Sequence, residues 1–498
     1  MTESSAHQVH GEAAHTLRQA GGVLVLRGLL LATGFAFVAV IPRLMGPETY
    51  GQFSLIQSMT LWFTALSGMG AVSMMTRFVP AFLARGDHAG LRRLVSGMLA
   101  LRLGNGLAAG LVYAVLASFW LGDLSSLTLL FVAGAIAGRT VGNLPYTLLL
   151  GLNQGARWET GELTRRVLGL FFAAAGFSIA GLTGATAGLF AAEAVVIAVG
   201  YAWTHEYVSW RDIRIDRAFL EPYLRFSAGF FAANVLMMLF HQGGAAIVKL
   251  LAGGYAETGY YHMAFHFYLT VTAAVWRLVC TFGPMLSSLR EREQHADLRL
   301  WAERLLSFLG VASILGAAAA ATHGSWVIRM VAGAQYERVG VMLPVLGLAV
   351  IGFVPGALAR MLAVTFGAPS ASIGGAGLQL AAFALGCSLW VRALGGMGAC
   401  YAVVLASVFM AAYGTWRIRR EIAYSLSAWV ISVAIGALLS PILWLAPMNP
   451  TLRLASFVSA FLGALTLLRQ INWSDWMSLF RQASRRQASS PRRPRSAQ

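Results

Sequence analysis

Charged side chains are scarce in this chain: 11% of its 498 residues, against a hydrophobic share of 57%. A soluble domain carries about 25% charged residues, and a soluble fold this short of charge would expose large apolar patches and aggregate. Lysine is nearly absent. Lys249 is the only one, so the formal charge of +17 is carried by arginine. The three cysteines, Cys280, Cys387 and Cys400, fall in apolar segments with neither metal-ligand spacing nor a disulfide framework. There is no GxxxxGK[ST] phosphate loop. No segment outside the apolar runs is long enough for a soluble catalytic domain. Residues 1–20 are polar and the first apolar run is a full span, so no cleavable signal peptide is expected. His7, His10 and His15 in that polar start read as solvated.

What is present is a succession of apolar runs of about 20 residues, each able to cross about 30 Å of hydrocarbon. Mean hydropathy is +0.66. Lipid offers backbone amides no partner, so such runs become helices. They are too long for barrel strands and do not alternate in period two. The 54 glycines suit close helix contacts in membranes. The expected fold class is an all-α polytopic membrane protein of 14 transmembrane helices, read at residues 22–42, 51–75, 94–120, 125–150, 167–183, 185–204, 223–250, 256–283, 301–322, 339–363, 372–391, 396–416, 424–446 and 452–469. The fifth and sixth are parted by little more than residues 181–184.

The positive-inside rule tests this map. With the N-terminus cytoplasmic, twenty-five basic residues fall in cytoplasmic segments, Arg77, Arg85, Arg92, Arg93, Arg157, Arg165 and Arg166 among them. Five fall on the other side: Arg43, Arg329, Arg338, Arg392 and Arg453. The positive charge therefore follows membrane topology and does not call for nucleic acid. Both termini are expected in the cytoplasm. The end of the chain, RQASRRQASSPRRPRSAQ, is disordered by composition. It reads as an electrostatic tether to an anionic leaflet or as a dispensable tail.

A repeat divides the chain. Residues 43–53 read RLMGPETYGQF, and residues 249–261 read KLLAGGYAETGYY. Each has a basic residue, small residues, a Glu-Thr pair, then glycine and an aromatic opening the next span. Six helices separate the copies, so both have one orientation, as in parallel repeats related by an axis along the membrane normal. The expected domains are a cytoplasmic tail at 1–20, an N-lobe at 21–204 (spans 1–6), a cytoplasmic linker at 205–222, a C-lobe at 223–416 (spans 7–12), spans 13 and 14 at 417–469, and an Arg-rich tail at 470–498.

The stretch Arg43, Leu44, Met45, Gly46, Pro47, Glu48, Tyr50 and Gly51, followed by Arg77, Pro80, Gly86 and Asp87, resembles the N-terminal signature of the polysaccharide flippases. These belong to the multidrug/oligosaccharidyl-lipid/polysaccharide exporter superfamily. Gly333 and Tyr336 in VAGAQYERVG resemble a further recurring segment of that family. The resemblance covers the architecture from residue 20 to residue 470. It implies a bacterial inner-membrane protein that moves an undecaprenyl-pyrophosphate-linked glycan to the outer leaflet by alternating access, for O-antigen, capsule or exopolysaccharide. It implies no bound cofactor, coupling to a proton or sodium gradient, and a polysaccharide polymerase and export machinery as partners beside membrane lipids.

Such a substrate needs cations for its phosphates, best met by the two-pronged guanidinium, and polar partners for its sugars. Ionisable groups within spans cost about 2.5–3.5 kcal/mol each on the insertion scale, so each invites a reason. The candidate cavity residues are Arg27, Arg102, Arg139, His241, Lys249, His262, His266 and Arg277. Arg27, Arg225, Arg277 and Arg360 lie near cytoplasmic ends and Lys249 near an outer end, where snorkelling is the alternative reading. Glu193 is the only acid near mid-membrane, either an ion-pair partner of Arg139 or Arg102 or the site of the coupling ion. In span 8, His262, His266, Thr270, Ala273 and Arg277 form one helical stripe. Tyr261, Phe265, Tyr268, Thr272 and Trp276 form the neighbouring one. The polar stripe lines a cavity or glues helices together. The histidine pair has no third metal ligand.

Three other activities compete. A peptidoglycan-precursor flippase shares the substrate chemistry. A drug/cation antiporter would want an acidic cavity. A membrane glycan polymerase or ligase would want a large outer loop, and the outer loops here are short.

Overall fold

The computed structural model describes residues 3–121, 123–208, 213, 215–366, 368–445, 448–468 and 470, leaving outside it the side chains of 1–25, 27, 229, 230, 233, 284, 369 and 445. The chain runs through helices α1 (Glu3–Ser67), α2 (Ala71–Ala84), α3 (His88–Trp120), α4 (Ser126–Gly151), α5 (Gly155–Thr204), α6 (Arg217–Ala252), α7 (Tyr255–Glu291), α8 (His295–Ala332), α9 (Glu337–Thr365), α10 (Pro369–Leu394), α11 (Gly396–Ile418), α12 (Ser427–Leu439), α13 (Pro441–Leu445) and α14 (Pro450–Leu467). No strand occurs among the described residues. Among the described residues twelve helical stretches are long and apolar enough to cross a membrane. Two of them, α1 and α5, are each a pair of spans joined by a kink, so fourteen spans result. The all-α polytopic architecture expected from hydropathy is therefore found.

Each kink has a local cause. At Gly46 the backbone adopts φ 72° and ψ 167°, a region closed to side chains with a Cβ. Pro47 follows and has no N–H, so the helical bond to the Arg43 carbonyl cannot form. Gly181 breaks α5 in the same way, at φ 58°. Past α2, Gly86 takes φ 69° and Asp87 caps α3, its carboxylate accepting from the Gly90 amide at 2.7 Å. Large apolar side chains ring the outside: Phe119 and Ile179 are both 86% exposed. In water that would be a liability, whereas in hydrocarbon it costs nothing.

The buried clusters reveal how the two halves meet. Near Gly46 one apolar core is shared: Val38, Ile41, Tyr50 and Phe53 of α1 pack with Phe240 of α6, Tyr261 and Phe265 of α7, Tyr336, and Val391 of α10. At the opposite end, near Asp216, the cores are separate. One joins α2, α3 and α4 around Met74, Leu94 and Leu148, with Leu220 of α6. Another joins α7, α8 and α9 around Val279, Leu306 and Leu358. The first turns of α6 lean on the N-terminal half. There Ser227 bonds the Met69 carbonyl at 3.1 Å, Tyr223 packs edge-on against Phe78, and Arg93 pairs with Asp216. Arg93 and the Phe219 amide, in that order, hold the Asp216 carboxyl below its usual range. Helices α12 to α14 pack on α8 through Phe457, Phe461 and Ile314.

Candidate functional site

A buried ionic cluster lies inside the N-terminal half. Glu193, on the second limb of α5, has a carboxylate 7% exposed. Arg165, on the first limb, places Nε 3.1 Å from both of its oxygens. The same guanidinium donates to Glu162 at 2.6 Å and to Asn143 of α4 at 2.9 Å, and stacks over Tyr146 at 5.9 Å. Each of its three nitrogens is thus engaged. Arg139 of α4 approaches Glu193 at 3.6 Å, a Coulombic contact longer than a hydrogen bond, and its side chain stays 27% exposed. The hairpin in α5 is what brings Arg165 and Glu193 together, 28 residues apart in sequence.

Beside this cluster Arg166 is exposed and makes no ion pair among the described residues. It reaches across to α1, where a side-chain carbon at Gly34 would lie 3.4 Å from its Nη1. It also lies within electrostatic range of His266 on α7. Arg166 therefore faces the space between the halves. Sequence reasoning assigned Arg165 and Arg166 to a connecting segment and missed both. In the structure α5 begins at Gly155, so they sit about three turns inside a helix. The signal that could have found them was a continuous helical pattern from Gly155 with no breaker before it.

The stripe on α7 faces the same space. His266, Thr270, Ala273 and Arg277 are exposed, and His262 is half-buried. The neighbouring Tyr261, Phe265, Tyr268 and Thr272 are buried as packing. One helix thus turns a polar face to the inter-half space and an aromatic face to the core.

The remaining candidates scatter. Arg102 is buried inside the N-terminal half and donates to the carbonyls of Thr140 at 2.8 Å and Gly68 at 3.2 Å. Gly68 lies just past the end of α1, where carbonyls lack helical partners and a cation is favoured by the helix dipole. Lys249 donates to the Gly253 carbonyl at 2.9 Å and lies over Tyr255 at 3.5 Å. It closes the end of α6. His241 is half-buried on α6, within range of Arg360. Arg27 is on α1, and its side chain lies outside the described residues. Among the described residues no group of three or more His, Cys, Asp or Glu side chains could hold a metal.

The space is closed at the Gly46 end by the two copies of the repeat. Gly51 and Gly259 bring α1 and α7 into backbone contact. Tyr336 donates to the Pro42 carbonyl at 3.0 Å, and Arg43 donates to the Met330 carbonyl. Tyr50 stacks edge-on against Tyr336 at 6.0 Å and approaches His262 Nδ1 at 3.5 Å. His262 thus forms the floor of an aromatic plug, and the polar stripe begins beneath it.

Residues 160–340 match the family described as polysaccharide biosynthesis protein. No curated protein compared matches the chain. Among solved structures the chain is similar to the lipid II flippase MurJ in an inward closed conformation, with a TM-score of 0.70 and 12% identity, covering 91% of this chain and 99% of that one. It is similar to an inward-facing multidrug resistance MATE family transporter of the MOP superfamily, with a TM-score of 0.62 and 14% identity, over 81% of this chain and 95% of that one. A MOP superfamily transporter from Pyrococcus furiosus is similar as well, with a TM-score of 0.54 and 13% identity, over 82% of this chain and 94% of that one. At such identities the likeness is one of fold.

Proposed function

We propose that the chain is a polysaccharide flippase that carries a lipid-linked oligosaccharide across the bacterial inner membrane by alternating access, a reading supported by the family match over residues 160–340 and by the fold. One observation carries this reading: the space between the halves is faced by guanidiniums whose charge is not cancelled. Arg166 and Arg277 are exposed without an ion pair among the described residues, and Arg139 is only loosely held by Glu193. A cavity with that excess suits a diphosphate, which accepts paired N–H donors. It repels a cationic drug, which disfavours antiport of such compounds.

On this reading the Asp216 end faces the cytoplasm. The separate cores there leave room for a headgroup to enter, while the plug of Tyr50, Tyr336 and His262 closes the far side. The polyprenyl tail stays in the bilayer, and the polar stripe of α7 offers hydrogen-bond partners to sugars. Coupling to a proton or sodium gradient is part of the proposal. A peptidoglycan lipid precursor carries the same diphosphate, so the arginines serve either substrate. A polysaccharide polymerase would act on the delivered glycan.

The test is genetic and chemical together. In a strain lacking this chain, lipid-linked glycan is expected to accumulate on the cytoplasmic leaflet with loss of surface polysaccharide. The Arg166→Gln variant is expected to leave that loss uncorrected while reaching the membrane at normal level. Normal surface polysaccharide in the deletion strain, with no second flippase present, would sink the reading. Arrest of cell-wall synthesis instead would assign the peptidoglycan precursor.

A further inference from the structure

The arginines that reach into the helical bundle can be sorted by where their donors are spent. Arg102 gives Nη1 and Nη2 to backbone carbonyls while its buried Nε has no partner among the described residues, and Arg165 gives a donor from each nitrogen to Glu193, Glu162 and Asn143. Arg290 gives one to the Thr365 carbonyl at 2.5 Å and lies over Phe366. Arg360 is different. It projects from α9 over the ring of Trp276 on α7, 4.2 Å from its centroid. It has no hydrogen bond or ion pair among the described residues.

A cation held against an aromatic face is oriented without using its N–H groups. Stacking fixes the plane of the guanidinium and leaves the fork free in that plane, the geometry that accepts two oxygens of one phosphate or bridges two phosphates. A buried or half-buried guanidinium with unspent donors is costly, so its persistence calls for an anion. Arg277, next to Trp276 in sequence and exposed on the neighbouring polar stripe, is a further cation on the same turn of α7. Helices α7 and α9 run side by side here, since a carbon added at Gly283 would meet Met361. Arg360 lies five residues from the end of α9 at Thr365, which puts it nearer the Asp216 end than the Arg166–His266 pair.

We propose that Arg360, held over Trp276 and accompanied by Arg277, forms a second diphosphate-binding station on the C-terminal half, met by the substrate before the Arg139–Arg166 station on the N-terminal half. The proposal rests on the transport reading above and adds to it a place and an order. The two stations belong to different halves, so any rocking of the halves changes the distance between them. The entry station carries two guanidiniums with no carboxylate partner among the described residues. At the other, Glu193 and Glu162 offset part of the charge of Arg139, Arg165 and Arg166. The entry station is therefore the stronger trap for an anion, and the inner one the easier to leave.

The chemistry recognised is an organic diphosphate, which the lipid-linked substrate supplies and which an anionic bilayer headgroup imitates with one phosphate. The experiment uses the full-length protein in phosphatidylcholine nanodiscs with farnesyl diphosphate as the probe, read by calorimetry. Arg360→Gln is expected to weaken binding about tenfold or more, and Trp276→Leu about three- to fivefold, the ranges of a charge-assisted pair and of one cation–π contact. Arg290→Gln, whose donor is already engaged, is expected to bind like the parent. Arg360→Lys keeps the charge without the fork. It is expected to recover part of the affinity, and it serves if Arg360→Gln does not fold.

Parental affinity in both folded Arg360 variants would overturn the second station and leave the transport reading intact. No binding of the probe to the parent protein would count against both. Nanodiscs containing phosphatidylglycerol separate the sources. Competition that removes the Arg360 dependence there would assign the station to bilayer headgroups and overturn the proposal.

Discussion

Gly51 and Gly259 touch backbone to backbone across the junction of the two halves: a Cβ on Gly259 would lie 3.1 Å from the Gly51 amide nitrogen and 2.6 Å from the Pro47 carbonyl. They are the equivalent glycines of the two repeat copies, so the repeat meets itself at the closed end. Valine at either position is expected to hold this end apart. Overpacking costs about 1–3 kcal/mol, enough to shift a two-state equilibrium about five- to more than a hundredfold. In the His266→Cys background, Gly259→Val should raise labelling by an impermeant thiol reagent from the Gly46 side and lower transport. Unchanged labelling would mean that the contact does not gate this end.

Tyr336 ties the segment after α8 to the Gly46 kink, donating to the Pro42 carbonyl at 3.0 Å. Tyr336→Phe keeps the ring against Tyr50 and removes this hydrogen bond, at a cost of about 0.5–1.5 kcal/mol in the closed form. Increased accessibility from the Gly46 side in the same labelling assay, with an unchanged aromatic signal, is the expected result.

Glu193 and Arg139 share an ion pair but not a fate. Glu193→Gln leaves Arg165 buried without its central partner, which should cost about 3–5 kcal/mol of stability and lower the thermal midpoint in detergent. Arg139 is partly exposed and loosely held, so Arg139→Gln should shift the midpoint little and reduce transport. Equal destabilisation by both would show that Arg139 is a structural ion like Arg165.

Asp216 caps α6 and pairs with Arg93 outside the membrane. Its carboxyl is held below the unfolded value, so the bound form favours the folded state above the unfolded pKa of about 4. That contribution disappears as pH falls through the lower folded value. The melting difference between the parent and Asp216→Asn should be present at pH 7 and shrink as the pH falls below the unfolded pKa. A constant difference across that range would assign the effect to the cap geometry alone.

Hydropathy sufficed for the helices, because span length is a one-dimensional property. The α7 stripe was equally legible, since a period of 3.6 predicts which side chains share a face, and His266, Thr270 and Arg277 do share the exposed one. The ionic cluster was half legible. Glu193 stood out as a lone acid, yet Arg165 was hidden by a misplaced start of α5 and by the hairpin that folds it back. The partners of Arg102 are carbonyls, which every residue has, so no pattern of side chains could announce them. Arg360 reads as a snorkelling cation until Trp276 is placed beneath it.

The apolar core shared by the halves near Gly46 has a thermodynamic consequence. Parting the halves there would wet Val38, Ile41, Phe53 and their partners across the junction, whereas the cores near Asp216 are already separate. Exposure of apolar surface raises heat capacity. On the proposed alternating-access reading, the equilibrium between the two access states is therefore curved in temperature, with the closed Gly46 end gaining as the hydrophobic term strengthens on moderate warming.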